Sequence, residues 1–447
     1  MRAYPEYKKS GETWLGSVPA HWQTVQSRRY FAERKERARE NDAQMTASQK
    51  YGIILQSDFE KLEGVKVMQV TKNAEILKHV EPGDFVISMR SFQGGLELSH
   101  DRGCVSSAYV ALEPRDGVRA DFYRYLFKSV GYIQALQATT NLVRDGQALR
   151  YANFVQVSVP FPPLPEQHAI AGFLDRETAK IDALVEEQRR LIALLKEKRQ
   201  AVISHAVTKG LDPAAPMKPS GIDWLGDIPA HWEAVQAKRF VSIINGFAFP
   251  STGFETDENA VRLLRGINVG VGEVRWEPEN TVRWTRKADD KLDAWELQAG
   301  DLVLGMDRPW ISSGVRVAVM QEDDVPSLLL QRVAALRTHQ GLVPPFLYRQ
   351  LQSEAFVHHF LPETTGVSVP HISPSQIGSF VITVPPEEEQ QEIVEHIDEQ
   401  IRQFGELEAE AERAITLLQE RRSALISAAV TGKIDLRDTT SNSTEAA

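Results

Sequence analysis

The chain is short of several things, and each shortage removes a class of function. Cys104 is the only cysteine in 447 residues, so neither an internal disulfide nor a cysteine-built zinc site can form. That fits a reducing compartment, and a small buried thiol is the simplest role for it. No apolar run approaches the roughly 20 residues a membrane span needs, and the opening MRAYPEYKKS lacks the apolar core of a secretory signal. The expected location is cytoplasmic. There is no Walker loop for ATP, and Pro344-Pro345-Phe346 follows Val343 where an amino-methylating motif would carry Asn or Asp. Nor does an acidic cluster with a paired lysine stand out. The expectation is a chain with no catalytic residues, no metal and no cofactor of its own.

A net positive charge is also lacking, the formal balance being −10 from 51 basic and 61 acidic side chains. The deficit is local. Residues 387–437 hold 6 basic against 13 acidic side chains, residues 27–160 hold 19 against 16, and residues 238–384 hold 14 against 17. An acidic helix therefore carries most of the imbalance. Nucleic-acid binding stays open, because phosphate contacts depend on local Arg and Lys placement rather than on total charge.

What the chain has is repetition. GETWLGSVPAHW at 11–22 returns as GIDWLGDIPAHW at 221–232, and residues 162–208 align without a gap onto 385–431. The stretches between these blocks share little. A frame is kept twice while its contents differ, which suits a protein that holds two different readers.

Both copies of the second block read as long amphipathic helices opened by prolines. Ile170, Leu174, Ile181, Leu184, Leu191, Leu195 and Val202 recur at coiled-coil spacings, and Ile393, Ile397, Phe404, Leu407, Ala414, Leu418 and Leu425 hold the matching places. Each stripe is the obvious mate of the other, giving an intramolecular antiparallel pair; the alternative packs each helix on its own domain. The variable stretches read as mixed α/β. Strands are expected at 85–88, 108–112, 155–159, 302–304, 315–319 and 380–384, with single helices over 121–136 and 345–356. The expected organisation is a leading repeat block at 1–26, a first reader at 27–161, a central helix at 162–210, and a linker with the second repeat block at 211–237. A second reader follows at 238–384, a C-terminal helix at 385–436 and a disordered tail at 437–447.

These features resemble the DNA specificity subunits of type I restriction-modification systems. The resemblance rests on W-L-G-x-[VI]-P-A-H-W at 14–22 and 224–232. It rests also on Glu166-Gln167 and Glu389-Gln390 opening the long helices after a proline-rich exit, and on the helix ends at 204–208 and 427–434. It spans the chain in the family's order. It implies two mixed α/β target recognition domains in pseudo-two-fold tandem repeat, separated by a long antiparallel coiled coil that works as a ruler. Each domain would read one half of a split, asymmetric sequence in double-stranded DNA. Two adenine methyltransferase subunits would dock on the chain, with two restriction subunits added in the nuclease complex. S-adenosylmethionine, ATP and Mg would belong to those partners, and no membrane is involved. The rival reading is a coiled-coil adaptor that binds proteins only.

Candidate DNA contacts are polar and basic side chains near strand ends and in loops. In the first reader Arg90, Ser91 and Gln93 follow a strand beside two glycines; Arg and Gln are the forked partners of guanine and adenine edges. A solvated turn is the plainer alternative. Ser106, Tyr109, Arg144 and Gln147 lie in or beside loops, and Arg144 has Asp145 as a competing partner. In the second reader the candidates are Arg262, Arg265, Asn268, Arg283, Arg286, Arg308, Trp310, Gln331 and Arg332. The repeated Trp14, His21, Trp22 and Trp224, His231, Trp232 serve either internal packing or a partner interface.

Overall fold

A computed structural model describes residues 2–67, 76–88, 94–140, 149–287, 289–364 and 370–437, with the side chains of 362–364 excepted. The chain divides into two compact units, Met1–Gln188 with Glu412–Ala447, and Arg189–Ala411. Each unit thus takes one reader, the start of one long helix and the end of the other.

In the first unit a four-stranded antiparallel sheet runs in the order Phe31–Arg34, Val110–Pro114, Phe85–Ile87, Glu97–Leu98. Alternation along a strand sends neighbouring side chains to opposite faces. Phe85, Ile87, Val110 and Leu112 enter the main core with Phe122, Tyr123 and Phe127, while Val86 and Ala111 join Met45, Ile53, Val80 and Val105 in a smaller one. The sheet is buried on both faces, which is why these strands read as continuous apolar runs.

The second unit repeats the plan with different residues. Its sheet runs Val241–Asn245, Val333–Thr338, Leu302–Gly305, Val317–Val319, all antiparallel. Leu302, Leu304, Ala334 and Leu336 face one core, and Val303, Ala318 and Ala335 face another. A second sheet, Val282–Trp284, Val261–Leu264, Ser327–Leu329, contains a parallel pair of strands, where the first unit has single parallel bridges at Gln44–Cys104 and Ile53–Ser99.

Around each reader the frame recurs closely. Hairpins pair Tyr7–Lys9 with Ser17–Pro19 and Met217–Pro219 with Asp227–Pro229. Next, Gln23–Gln26 pairs with Ser158–Phe161, and Glu233–Gln236 with Val381–Val384. The expected reader helices are each broken in two, at the same place. Ala120–Leu126 is followed by Val130–Gln137, and Pro344–Leu351 by Glu354–Thr364. At each break a buried serine donates to a carbonyl of the preceding turn: Ser129 Oγ to Leu126 O at 2.7 Å, Ser353 Oγ to Gln350 O at 2.6 Å. That local bond satisfies a group the ended helix leaves open, and the apolar pattern, which runs on across the break, hides it.

The long helices span Leu164–Lys209 and Glu387–Val430. In the first unit Ile170, Ala171 and Leu174 share a core with Ile426, Ala429 and Val430, and Asp182 meets Arg422 at 2.8 Å. In the second, Arg199 meets Glu408 at 3.5 Å, and Ile203, Ala206 and Val207 share a core with Ile393 and Ile397. The direction is antiparallel in both. The seam departs from the expected stripe: Leu184, Leu191 and Leu407 are exposed, while Val185 and Ala411 are buried. Several leucines lie on adjacent positions here, so more than one heptad assignment fits the pattern.

Each helix ends on a left-handed glycine, Gly210 at φ +76° and Gly432 at φ +71°. A Cβ on Gly432 would stand 2.4 Å from Pro19 Cδ, so a side chain is excluded both by conformation and by contact.

Candidate functional site

The two repeated blocks of the sequence meet each other in space. In the first unit Glu166, which opens the central helix, is buried and gathers the leading block around its carboxylate. Trp22 Nε1 and Tyr4 OH each donate to Oε2 at 2.9 Å, and His21 Nε2 lies 2.6 Å from Oε1. Burial, with the Glu166 carboxylate next in weight, pushes the Tyr4 hydroxyl's pKa up, so it remains a donor. In the second unit Trp232 Nε1 donates to Glu389 Oε1 at 3.0 Å and His231 Nε2 lies 2.7 Å from Oε2. Both Trp22 and Trp232 are fully buried. Trp14 packs edge-on against Tyr132 at 5.7 Å, and Trp224 stacks on Phe380 at 5.9 Å.

The glutamine beside each glutamate ties in the reader. Gln167 accepts from Arg119 N and donates to Gly117 O and Pro162 O; Gln390 accepts from Val343 N and donates to Gly341 O and Pro385 O. The far end of the other helix closes the frame. Lys433 Nζ donates to Ser17 O at 2.9 Å in the first unit, and Lys209 Nζ donates to Leu225 O at 3.1 Å and to Asp227 O in the second.

A second shared feature holds the base of each sheet. Asp84 accepts from Glu81 N and forms a two-point pair with Arg34, while Asp301 accepts from Gln298 N and forms one with Arg337. The partner arginine comes from a different strand in each unit. Burial raises the Asp84 pKa more than Arg34 lowers it, and the same contact raises that of Arg34.

At the opposite end of the second unit's sheet the loops carry exposed basic groups. Among the described residues only Arg308, at φ +46°, and Arg332, at φ +72°, are non-glycine positions with left-handed backbone. Such a conformation costs roughly 1–2 kcal/mol each, and it is held by neighbouring hydrogen bonds. Arg308 N donates to Pro370 O at 2.7 Å, Met306 N to Arg332 O at 3.0 Å, and Ile372 N to Met306 O at 3.0 Å. Arg316 binds the loops together from beneath: Nε donates to Val269 O at 3.0 Å, Nη1 to Asp307 O at 2.9 Å, and Nη2 to Gly266 O. Burial lowers its pKa below the ordinary guanidinium range. Sequence reasoning missed Arg316 because it sits in Val315-Arg316-Val317, where alternation reads as a solvent-facing position. Asp307 and His371, which join Arg332 here, were also missed.

The candidates therefore separate. Arg308, Trp310, Gln331 and Arg332 come together on these loops, with Arg308, Gln331 and Arg332 exposed. Asn268 does not present its side chain to a surface. It is fully buried and its amide is taken up by Arg265 N, Arg275 O and Asn280 O. Arg265 has its Nε buried without a partner among the described residues. Arg262 donates to Asp323 O and lies over Trp276, Arg283 donates to Ala260 O, and Arg286 pairs with Asp293 and Glu296. These three are occupied within the unit.

In the first unit Arg90, Ser91, Gln93, Arg144 and Gln147 lie outside the described residues, as does all but the first residue of the tail expected at 437–447. Met89-Arg90 stands six residues past Gly83-Asp84, the spacing of Met306-Asp307 from Gly300-Asp301. Ser106 and Tyr109 line a cavity of about 170 Å³ with Gln44, Gln56 and Cys104. Ser106 Oγ accepts from Ala108 N, and Tyr109 O accepts from Lys78 Nζ. No group of three or more His, Cys, Asp or Glu among the described residues could hold a metal ion, and no described helix is long and apolar enough to cross a membrane.

The family model for the type I restriction modification DNA specificity domain matches residues 25–192 and again residues 229–417. The specificity subunit of the type I restriction enzyme MjaVIII of Methanocaldococcus jannaschii is 27% identical over 381 residues, covering 83% of each chain. Two solved structures share the fold. One, from work on complex assembly and conformational transition in a type I R-M system, has a TM-score of 0.63 at 17% identity and covers 93% of this chain and 99% of its own. The other, the HsdS subunit from Thermoanaerobacter tengcongensis, has a TM-score of 0.53 at 16% identity and covers 93% and 98%.

Proposed function

Because this chain belongs to the type I restriction modification DNA specificity family, whose model it matches twice, we propose that it is the subunit that gives such a complex its DNA sequence. Each unit reads one half of a bipartite, asymmetric site in double-stranded DNA. The chain carries no chemistry itself. It docks two adenine methyltransferase subunits and, in the nuclease form, two restriction subunits, which bring S-adenosylmethionine, ATP and Mg. It works in the cytoplasm, where its DNA is.

The observation that carries this reading is the pairing of a repeated frame with unlike readers. The Glu–Trp–His cluster recurs in both units, whereas the two readers, 27–160 and 238–384, differ in sequence. A frame repeated in one chain places two readers as a dimer would, and unlike readers free the half-sites from being the same. In the second unit Arg308, Trp310, Gln331 and Arg332 form the reading surface. Arginine and glutamine supply the forked donors and acceptors that base edges require. In the first unit Arg90, Ser91, Gln93, Ser106, Tyr109, Arg144 and Gln147 are the corresponding candidates. The repeated tryptophans and histidines act in packing.

The test is co-expression with its methyltransferase subunit, followed by single-molecule mapping of N6-methyladenine. A split motif that disappears when this chain is omitted supports the reading. Exchange of residues 27–160 for another reader should change one half of that motif only. Methylation indifferent to the chain would favour a protein-only adaptor.

A further inference from the structure

The two left-handed arginines of the second unit differ in one respect that matters for recognition. Arg332 is buttressed. Asp307 Oδ1 accepts from His371 Nδ1 at 2.7 Å and lies 3.5 Å from Arg332 Nη1. Asp307 is itself fixed, since its carbonyl accepts from Arg316 and its backbone pairs with His371. Arg332 Nε and Nη2 have no partner among the described residues. Arg308 is exposed, and no described residue accepts a hydrogen bond from its guanidinium.

A guanidinium read against a base edge must hold its plane, because both hydrogen bonds to guanine O6 and N7 depend on the fork's orientation. A phosphate makes no such demand; charge and reach suffice. An anchored carboxylate at ion-pair distance from one Nη draws the fork to one side and narrows its rotamer choice before DNA arrives, which lowers the ordering cost of the contact. A free guanidinium on an exposed loop can follow the backbone.

We propose that Arg332 reads a guanine in the second half-site, with Asp307, held by His371, as its positioning residue, and that Arg308 grips a backbone phosphate. The assignment rests on the reading of this chain as a DNA specificity subunit. Gln331, next in the chain and also exposed, stands beside the guanine reader. Ile267 and Ile311 are exposed on the same group of loops and offer apolar contact to a thymine methyl.

The experiment uses the full chain co-expressed with its methyltransferase, with N6-methyladenine mapped for wild type, Arg332→Ala, Asp307→Asn and Arg308→Ala. Salt-dependent binding is measured on the wild-type site and on one with the guanine replaced. Arg332→Ala should relax a single position, a guanine in the wild-type motif, while the first half-site is read unchanged. The other positions of the second half-site, still read, show that the second unit has folded. Asp307→Asn should relax the same position by a smaller factor, discrimination falling about two- to fivefold with modest loss of affinity on unrelated DNA. Arg308→Ala should keep the motif, weaken both DNAs alike and reduce the slope of log affinity against log salt by about 1.

The assignment is overturned if Arg332→Ala leaves every base preference intact, if Arg308→Ala changes the motif, or if Asp307→Asn matches wild type in specificity. A wild-type complex that yields no split motif overturns the functional reading, and this assignment with it.

Discussion

The twin carboxylates should not be equally important, and the difference can be worked out from their donors. Glu166→Ala strands two buried donors, Trp22 Nε1 and Tyr4 OH, both of which point at Oε2. An orphaned buried donor costs about 1–3 kcal/mol, so the pair costs about 4 kcal/mol. His21 is 39% exposed on its side chain and returns to water at little further cost. Glu389→Ala strands only Trp232 Nε1, because His231 is 48% exposed, and should cost about 2 kcal/mol. At about 2–4 °C per kcal/mol for a unit of this size, the first unit's transition should fall by about 8–16 °C and the second's by about 4–8 °C. Hydrogen exchange resolved by segment assigns each loss to its own unit. Glu166→Gln, which keeps one acceptor oxygen, should fall between wild type and alanine. Equal losses in the two variants, or a loss below about 1 kcal/mol in Glu166→Ala, would refute the account.

The first unit should also carry its own acid sensitivity. Burial raises the pKa of Asp42, but Arg39 N and His79 outweigh it and hold the carboxyl below its ordinary range; His79 Nδ1 sits 2.6 Å away with no exposed surface. A depressed carboxylate contributes stability that is complete above about pH 4 and is lost as pH falls through the lowered value. Asp42→Asn should therefore flatten the loss of stability below about pH 4 and lower stability at pH 7 by about 1–3 kcal/mol; an unchanged acid limb in chemical denaturation speaks against it. On the central helix Leu195 is buried and Leu191 is 40% exposed. Leu195→Ala should cost about 2–4 kcal/mol and Leu191→Ala less than about 1 kcal/mol, and equally large losses in urea titrations would restore the stripe that the spacing suggests, which holds both.

Much of the frame is legible in the sequence because its residues work through side chains. Trp22 and Trp232 recur, as do His21 and His231, since each must reach a carboxylate that also recurs. Their mutual contact was not legible: Trp22 and Glu166 are 144 residues apart, and repetition marks both members without saying that they meet. The seam of the long helices was half legible. Leu191, Ile192, Leu194 and Leu195 crowd one stretch, and only the partner helix decides which of them it covers. Broken reader helices and the Arg316 strut were hidden for a related reason. Both depend on backbone carbonyls, of Leu126 and Gln350 in one case and of Val269, Asp307 and Gly266 in the other, and a carbonyl leaves no mark in a residue pattern.

The same distinction explains how one frame can carry two unlike readers. Gln167 and Gln390 hold each reader by its main chain, at Gly117 and Arg119 in one unit and at Gly341 and Val343 in the other. Arg119 and Val343 have nothing in common as side chains, and the contact does not require it. Lys433 and Lys209 likewise bind the carbonyls of Ser17 and Asp227, a position where the otherwise similar leading blocks differ. Where the frame touches itself through Glu, Trp and His, identity is constrained. Where it touches the reader, a carbonyl and an amide suffice, and any non-proline residue supplies both. The reader's surface is thus free to change its bases without loosening the scaffold that presents it.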